Sequence, residues 1–528
     1  MNKEQERENL HKTIWKIANE LRGSVDGWDF KQYVLGLLFY RFISENIENY
    51  INEIQRKAGK EGFEYRNLSD DMAINAKSQL LEEKGFFILP SELFCNVRKT
   101  AKNNDNLNVV LANIFDNIES SARGTASEED VKGLFDDFDV KSNKLGNTVE
   151  ERNDKLSKML DSIGNLQLGD YQSNTIDVFG DAYEFLMTMY ASSAGKSGGE
   201  FFTPQEVGEL LAKIVIEDKK EVNKVYDPCC GSGGLLLKFA KILGKENVKQ
   251  GFYGQELNIT TYNLARINMF LHDINYNNFN IAREDTLIHP MHWDDEPFDA
   301  IVSNPPYSIS WAGKTNPILI NDARFAPAGV LAPPGNADFA FLMHMLSWLS
   351  PRGTAAVVVF PGILYRGGAE QKIRQYMVDN NFIDCIIQLP PNIFFQTPIA
   401  TAIMVMKKNK TDNNILFIDA SDDFVKNPDK MKNGNNSNKL SDENIKNIYK
   451  LVKNRESVEG KAYLATYDEI KENEYTISVN TYLKTIIQEE IINIVELNER
   501  IGEIVKKQEQ TRKELDQIIK ELEIDYYE

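Results

Sequence analysis

Asn304-Pro305-Pro306-Tyr307 directly follows the apolar run Phe298-Asp299-Ala300-Ile301-Val302-Ser303. The pattern suits one chemical task, methylation of a nitrogen conjugated to a carbonyl or an aromatic ring. Such a nitrogen is a poor nucleophile because its lone pair is delocalised. An Asn side-chain oxygen and the carbonyl of Pro305 can each accept one N–H bond of the amine, drawing the lone pair toward a methyl donor. Two prolines stiffen the loop, since each fixes φ and Pro306 also restricts Pro305. Tyr307 offers a ring on which a planar substrate can stack. A strand-terminating turn that happens to carry Asn and Pro is the plainer alternative, and neighbouring segments must decide.

Upstream, Val225-Tyr226-Asp227-Pro228-Cys229-Cys230-Gly231-Ser232-Gly233-Gly234 runs into the apolar segment Leu235–Ala240. This reads as a strand, a Gly-rich turn and a helix start, with glycine where φ is positive or a ligand nears the backbone. It is neither the dinucleotide fingerprint, because its third Gly directly follows the second, nor a phosphate loop, which ends in Gly-Lys-Ser/Thr. An ordinary tight turn fits this segment alone equally well. Gly251–Glu256 reads as a second strand ending in an acid, where a ribose-binding carboxylate is expected. A third strand, Phe279–Glu284, runs into Asp285, an acid suited to the exocyclic amine of a bound adenine. Together these strand ends place a nucleoside site along the carboxyl edge of a parallel sheet.

One element precedes them, Gly198–Gly208, which contains Glu200, Phe201, Phe202, Thr203, Pro204 and Gln205. Thr203 reads as a helix N-cap, Pro204 as the first helical residue and Glu206 as the capping-box partner. Beside the other motifs, its exposed N–H groups and the Phe201-Phe202 pair are expected to face a cofactor.

In this order the motifs resemble those of the S-adenosylmethionine-dependent adenine methyltransferases of DNA. The resemblance is closer to the modification subunit of type I restriction-modification systems. Leu21–Gly23 with Tyr33–Tyr40, Asp177–Glu184 and Gly335–Phe341 are similar to that family's segments, so the likeness spans about residues 10 to 425. Phe395-Gln396-Thr397-Pro398 departs from the Gly-containing turn of the family. The resemblance implies transfer of a methyl group from S-adenosylmethionine to the 6-amino nitrogen of a flipped adenine. Asn304 and the Pro305 carbonyl would accept its N–H bonds, Pro306 would stiffen the loop, and Tyr307 would stack, with Phe202 enclosing the site. Asp227, Gly231, Ser232, Gly233 and Gly234 would hold the methionine end of the cofactor, Glu256 the ribose and Asp285 the adenine. The implied partners are DNA, a sequence-reading specificity subunit and a restriction/translocase subunit, with two copies of this chain per specificity subunit. Two rivals stay open: a protein-glutamine methyltransferase, whose substrate amide suits the same tetrapeptide, and a cofactor-binding scaffold that has lost catalysis.

The chain's 528 residues call for two or three domains. Sixty Lys+Arg against 79 Asp+Glu leave a net charge of −19, awkward for a chain that binds DNA alone. Another chain is therefore expected to bring much of the DNA affinity. Cys95, Cys229, Cys230 and Cys385 show no metal-ligand spacing and read as reduced thiols of a cytoplasmic protein. His289 and His292 lack a third ligand, so no metal is expected. No stretch approaches the roughly 18 apolar residues of a membrane span.

The expected fold is α/β, a doubly wound Rossmann-like methyltransferase sheet with an N-terminal all-helical domain and a long C-terminal helix. Residues 1–165 form the helical domain, in which Leu10, Ile14, Ile17 and Leu21 recur at helix spacing, and 164–174 read as a linker. Residues 166–425 form the catalytic domain. Within it, 308–337 read as a mobile loop over the site, too short to read a DNA sequence. Residues 426–480 read as a polar linker and irregular segment. Residues 481–528 carry a seven-residue repeat with Ile487, Ile494, Ile501, Gln508, Leu515 and Leu522 on one seam position. Ile491, Asn498, Val505, Arg512 and Ile519 occupy the other, as expected of a partner-binding coiled coil.

Overall fold

The computed structural model describes residues 29–166, 203–313, 316–394, 398–426, 437–483 and 494–524, with a few isolated positions besides. By chain contacts it divides into Met1–Leu483 and Lys484–Glu528.

The larger unit is built on a mixed nine-stranded sheet. Its strands are β1 (Val225–Asp227), β2 (Phe252–Glu256), β3 (Phe279–Arg283), β4 (Phe298–Ser303), β5 (Leu349–Val359), β6 (Ile383–Gln388), β7 (Ala402–Lys407) and β8 (Ile415–Asp419). A short ribbon, β9 (Val425–Lys426) with β10 (Asn438–Lys439), lies outside it, and β11 (Ala462–Ala465) completes it. The spatial order is β11-β8-β6-β7-β5-β4-β1-β2-β3. Strand β5 shows why the sheet is covered on both sides. Ala355, Val357 and Val359 enter one core, while Ala356 and Val358 enter the other. An almost unbroken apolar run is what burial on both faces demands. Chain order reverses between β1 and β4, which pair in parallel, and that is where ligands bind in such sheets.

Two differences from a fully parallel sheet appear. Strand β7 runs antiparallel between β5 and β6, because the β6–β7 connection carries Pro390, Pro391 and Pro398, which break a crossover helix. Strand β11 pairs antiparallel with β8. The reading of 426–480 as linker and irregular segment is thereby corrected. The helix Asp442–Asn454, opened by a Ser441–Asn444 capping box, buries Ile445 and Ile448 in the core. Sheet pairing thus extends past residue 425 to Ala465.

Helices Asp29–Lys57, Leu107–Ser121 and Val149–Gly164 dominate the N-terminal region, with Phe115 and Phe135 stacked at 4.3 Å between ring centres. The region docks on the helix Ile259–Leu271, which follows β2. Arg266, 1 % exposed, donates to the carbonyls of Glu129 and Lys132, both at 2.8 Å. Asp137 accepts from Thr260 and Asn263, and Phe270 meets Phe39 and Phe86. Hydrogen bonds to a charged group stabilise by about 1.5–3 kcal/mol each, so this contact fixes the helix behind β2.

The expected helical positions Leu10 to Leu21, most of the 164–174 linker, Glu200, Phe201, Phe202, Phe395, Gln396 and Thr397 lie outside the described residues. In the second unit the helix Ile494–Ile524 spans 31 residues, and Ile487 and Ile491 fall outside the described part. Among the described residues no helix is long and apolar enough to cross a membrane.

Candidate active site

Strand β1 delivers Asp227 to the carboxyl edge of the sheet, where its side chain is 1 % exposed. One oxygen, Oδ1, accepts from the Cys229 amide at 3.0 Å and the Ser303 hydroxyl at 2.8 Å. Burial pushes this carboxyl up to about 7, the two hydrogen bonds offsetting part of the cost. The turn that follows needs glycine, with φ of 53° at Gly231 and 78° at Gly233. A Cβ on Gly233 would also lie 3.0 Å from the methyl of Met269.

Glu256, at the end of β2, reaches across to this turn. Its Oε2 accepts from Gly231 N at 3.0 Å and its Oε1 from Asn258 N at 2.8 Å, while burial raises its pKa. Beyond β3, Asp285 holds its own turn through the amides of Leu287 at 2.9 Å and Ile288 at 3.2 Å. Each carboxylate keeps acceptor capacity beyond these bonds. All three line one open cavity together with Thr203, Pro204, Gln205, Gly231, Ser232, Gly234, Asn304 and Pro306. Three acids suit a ligand that offers hydroxyls, an amine and positive charge, and they would repel a pyrophosphate.

Asn304 stands at the first position after β4. Its Nδ2 donates to Thr203 Oγ1 at 3.1 Å, and its Oδ1 accepts from the Tyr307 hydroxyl. Tyr307 is half-buried with its ring 6.4 Å from that of Phe360, and burial raises its pKa, with Asp338 adding to the effect. Ser308 adopts a φ of 52°. This left-handed conformation is costly for a non-glycine residue, and the Asp338 carboxylate stabilises it by accepting the Ser308 amide at 3.0 Å.

Predicted residues thus gather, with one local exception. The helix that follows Thr203 is Gln205–Ile216, with Pro204 as N-cap and no side-chain cap bond. Thr203 points its hydroxyl at Asn304 instead of capping, and Glu206 takes backbone amides of its own and of Leu440, so the capping box is absent. Gln205 accepts from Lys238, a buried lysine in the cavity wall. The loop expected over the site does stand there, since Ile309, Ser310 and Trp311 line the same cavity. Arg324, 1 % exposed, donates to the carbonyls of Thr286 at 2.9 Å and Leu287 at 2.8 Å and lies over the ring of Phe325. Trp311 N donates to Pro334 O at 2.9 Å and Ala337 N to Ile309 O at 3.0 Å. The described part of 308–337 is therefore packed onto the β3 end and closed on itself.

Sequence reasoning passed over Ser303, Asp338, Lys238 and Asn268, whose amide donates to Ser232 O at 2.9 Å. Asp338 had a signal, since it lies in the Gly335–Phe341 segment that carries the family resemblance. Ser303 had one too, as the strand residue before the tetrapeptide. Asn268 and Lys238 had none.

A reversed-order sheet with acids on three strand ends, and an Asn-Pro-Pro-Tyr loop beside them, defines a methyltransferase that acts on conjugated amino groups. The family description N-6 DNA Methylase matches residues 174–491, and HsdM N-terminal domain matches 10–163. The chain is 48% identical to the type I restriction enzyme MpnII methylase subunit of Mycoplasma pneumoniae, over 99% of this chain and 98% of that one. In structure it resembles the type I restriction-modification methyltransferase subunit of Streptococcus thermophilus. That likeness has a TM-score of 0.81 and 32% identity, covering 90% of this chain and 100% of that one. A chain from a structure of a type I R-M system shares the fold at TM-score 0.65, with 19% identity over 97% of this chain and 99% of that one. The chain belongs to the N-6 DNA methylases, as a methylase subunit of type I restriction-modification systems. It is an enzyme of N6-adenine methylation in DNA, which removes both the glutamine-methylating and the silent-scaffold alternatives.

Proposed function

We propose that the methyl donor is S-adenosylmethionine, held in the cavity between the ends of β1, β2 and β3. The carrying observation is the fit of that cavity: buried Asp227, Glu256 bonded to the glycine turn, and Asp285, all facing one space. When bound, the cofactor supplies an electrophilic methyl group on a positively charged sulfur. Gly231, Ser232, Gly233, Gly234 and Asp227 hold its amino-acid end, where the glycines let the ligand approach the backbone. Glu256 accepts from the ribose hydroxyls and Asp285 from the adenine amine. Thr203, Pro204 and Gln205 line the same space.

The target adenine leaves the duplex and stacks on Tyr307. Asn304 Oδ1 and the Pro305 carbonyl accept the two N–H bonds of its 6-amino group, which turns the nitrogen lone pair toward the methyl group. The proton leaves only after the nitrogen has become cationic, so no strong base is required. Positioning and electrostatics supply most of the rate.

This chain works with DNA, a specificity subunit and a restriction/translocase subunit, two copies of it per specificity subunit. The net charge of −19 supports delegating DNA affinity to a partner. The domain division is read as 1–165 helical and a catalytic body from 166 that the sheet carries past 425. Residues 481–528 serve assembly. Calorimetry with S-adenosylmethionine on the parent and on Glu256→Ala, together with mapping of methylated adenines after assembly with a specificity subunit, tests the reading. Unchanged affinity in Glu256→Ala moves the ribose site elsewhere.

A further inference from the structure

The side chain that must face the target amine is a carboxamide, whose two ends are similar in shape and opposite in hydrogen bonding. Only Oδ1 can accept an N–H; a half-turn about χ2 puts an NH2 group there and loses the acceptor. That torsion is broad and roughly two-fold, so the backbone does not choose between the ends. The neighbouring ties hold main chain and flanking residues: Ser303 to Asp227 on one side, and Ser308 N to Asp338 on the other. Among the described residues two contacts reach the carboxamide itself, Tyr307 at Oδ1 and Thr203 at Nδ2. An arriving amine must share or displace Tyr307. It leaves Thr203, at the opposite end, untouched.

We propose that Thr203 is a positioning residue for methyl transfer: its hydroxyl accepts from Nδ2 of Asn304 and keeps Oδ1 turned to the target amine. The proposal rests on the assignment of Asn304 as acceptor for that amine. Thr203 is well placed for it. Its hydroxyl is not used as a helix cap, and the residue precedes Pro204, whose carbonyl accepts Gly208 N at 3.0 Å and anchors the helix start. The hydroxyl thus sits on a fixed platform beside the end of β4, so Thr203 lines the cofactor cavity while its hydroxyl serves the reacting centre.

The test uses the full-length chain assembled with its specificity subunit. Thr203→Val keeps the shape and removes the hydroxyl; Thr203→Ser keeps the hydroxyl. At saturating DNA and S-adenosylmethionine, Thr203→Val should lower kcat about tenfold, the loss of one hydrogen bond. Cofactor Kd and the KM for DNA should stay within about twofold, and Thr203→Ser should recover most of the loss. In an Asn304→Asp background both ends of the side chain are oxygens and there is no orientation to choose. There Thr203→Val should add no more than about a twofold loss. A weakened cofactor Kd with kcat intact returns Thr203 to the cofactor site and overturns the proposal. So does a serine variant no better than valine, or a repeated tenfold loss in the Asn304→Asp background. If Asn304→Ala turns over at the parent rate, the Asn304 assignment itself fails and this proposal with it. An inactive Asn304→Ala beside a fully active Thr203→Val removes the proposal alone.

Discussion

The carboxyl edge of the sheet and the helix Ile494–Ile524 differ in how folding treats them. At the edge, polar side chains find partners within the chain: Asp227 holds Ser303 and Cys229 N, Glu256 holds Gly231 N, and Asn304 bridges Thr203 and Tyr307. The helix shows the reverse. Ile501, Ile504, Val505, Leu515, Ile518 and Ile519 are all exposed, between 44 and 65 %. Covering one such side chain yields about 1.5–3 kcal/mol, so burial of the row against another surface would be strongly favourable. One chain alone organises the chemistry, whereas the exposed row of the helix fits the proposed assembly role, in which another chain covers it. Ile504 and Ile518 widen the stripe beyond the two seam positions read from the heptads.

The largest effect is expected at Asn304. Asn304→Ala removes the acceptor for the target amine and no cofactor contact, so methylation should fall by at least ~100-fold, as when one preorganised hydrogen bond is lost at a reacting centre. S-adenosylmethionine affinity, read by calorimetry, should stay near the parent value. Parallel loss of both would mean that the edge does not separate chemistry from cofactor binding. Next in size is a chain ending at Leu483. It should melt like the parent and bind cofactor, because Met1–Leu483 forms its own compact unit. In size-exclusion chromatography it should no longer co-elute with a specificity subunit, and DNA methylation should disappear with assembly. Co-elution at the parental level would place the assembly surface elsewhere.

Legibility followed the range of the interactions. Asn304–Tyr307 and the acids Asp227, Glu256 and Asp285 stood out because each stands at or just past the end of a short strand pattern, a local signal that the topology then brings to one edge. Thr203 was misread for the same reason. Thr-Pro-Gln-Glu satisfies every local rule of a helix start, and the partner that overrides them lies 101 positions away. The support of Ser308 by Asp338 spans 30 positions, and the docking of Arg266 on the N-terminal helices spans more than 130. No window of sequence contains such pairs. Strand β11 was hidden differently: four residues in a polar stretch carry too little periodicity to read, and only pairing with β8 makes them a strand.

A smaller effect is expected at Glu256. Glu256→Ala should weaken S-adenosylmethionine by about 1–3 kcal/mol, the cost of leaving ribose hydroxyls without their charged partner. It also frees the Gly231 amide, so the turn loses a brace along with the ligand contact. Glu256→Gln separates the two, since one end of its amide still accepts from Gly231. An affinity close to that of the parent in the glutamine variant would assign Glu256 to bracing the turn.

The smallest effect, and the finest test of how far the edge is finished without its ligand, concerns Asp227. Its carboxyl titrates at about 7 in the fold, against about 3.9 in an unfolded chain. Between those values the folded chain holds a proton that the unfolded chain has released. The stability contributed by this group therefore falls as pH rises from about 4 to 7 and is level above. A cationic ligand reverses the preference, because it favours the ionised carboxylate and expels the proton. S-adenosylmethionine should accordingly bind more tightly as pH rises toward 7, by up to tenfold per unit, and release a proton that calorimetry in buffers of different ionisation heat can count. Asp227→Asn removes this titrating carboxyl and should flatten the slope. Measurement between pH 5.5 and 7 keeps the cofactor's own amine, with a pKa of about 7.7–8.0, from titrating. An unchanged slope in Asp227→Asn would show that the carboxyl stays protonated beneath the ligand. Asp227 would then be a scaffold for Ser303 and the glycine turn, and the positive end of the cofactor would be matched by Glu256 and Asp285 instead.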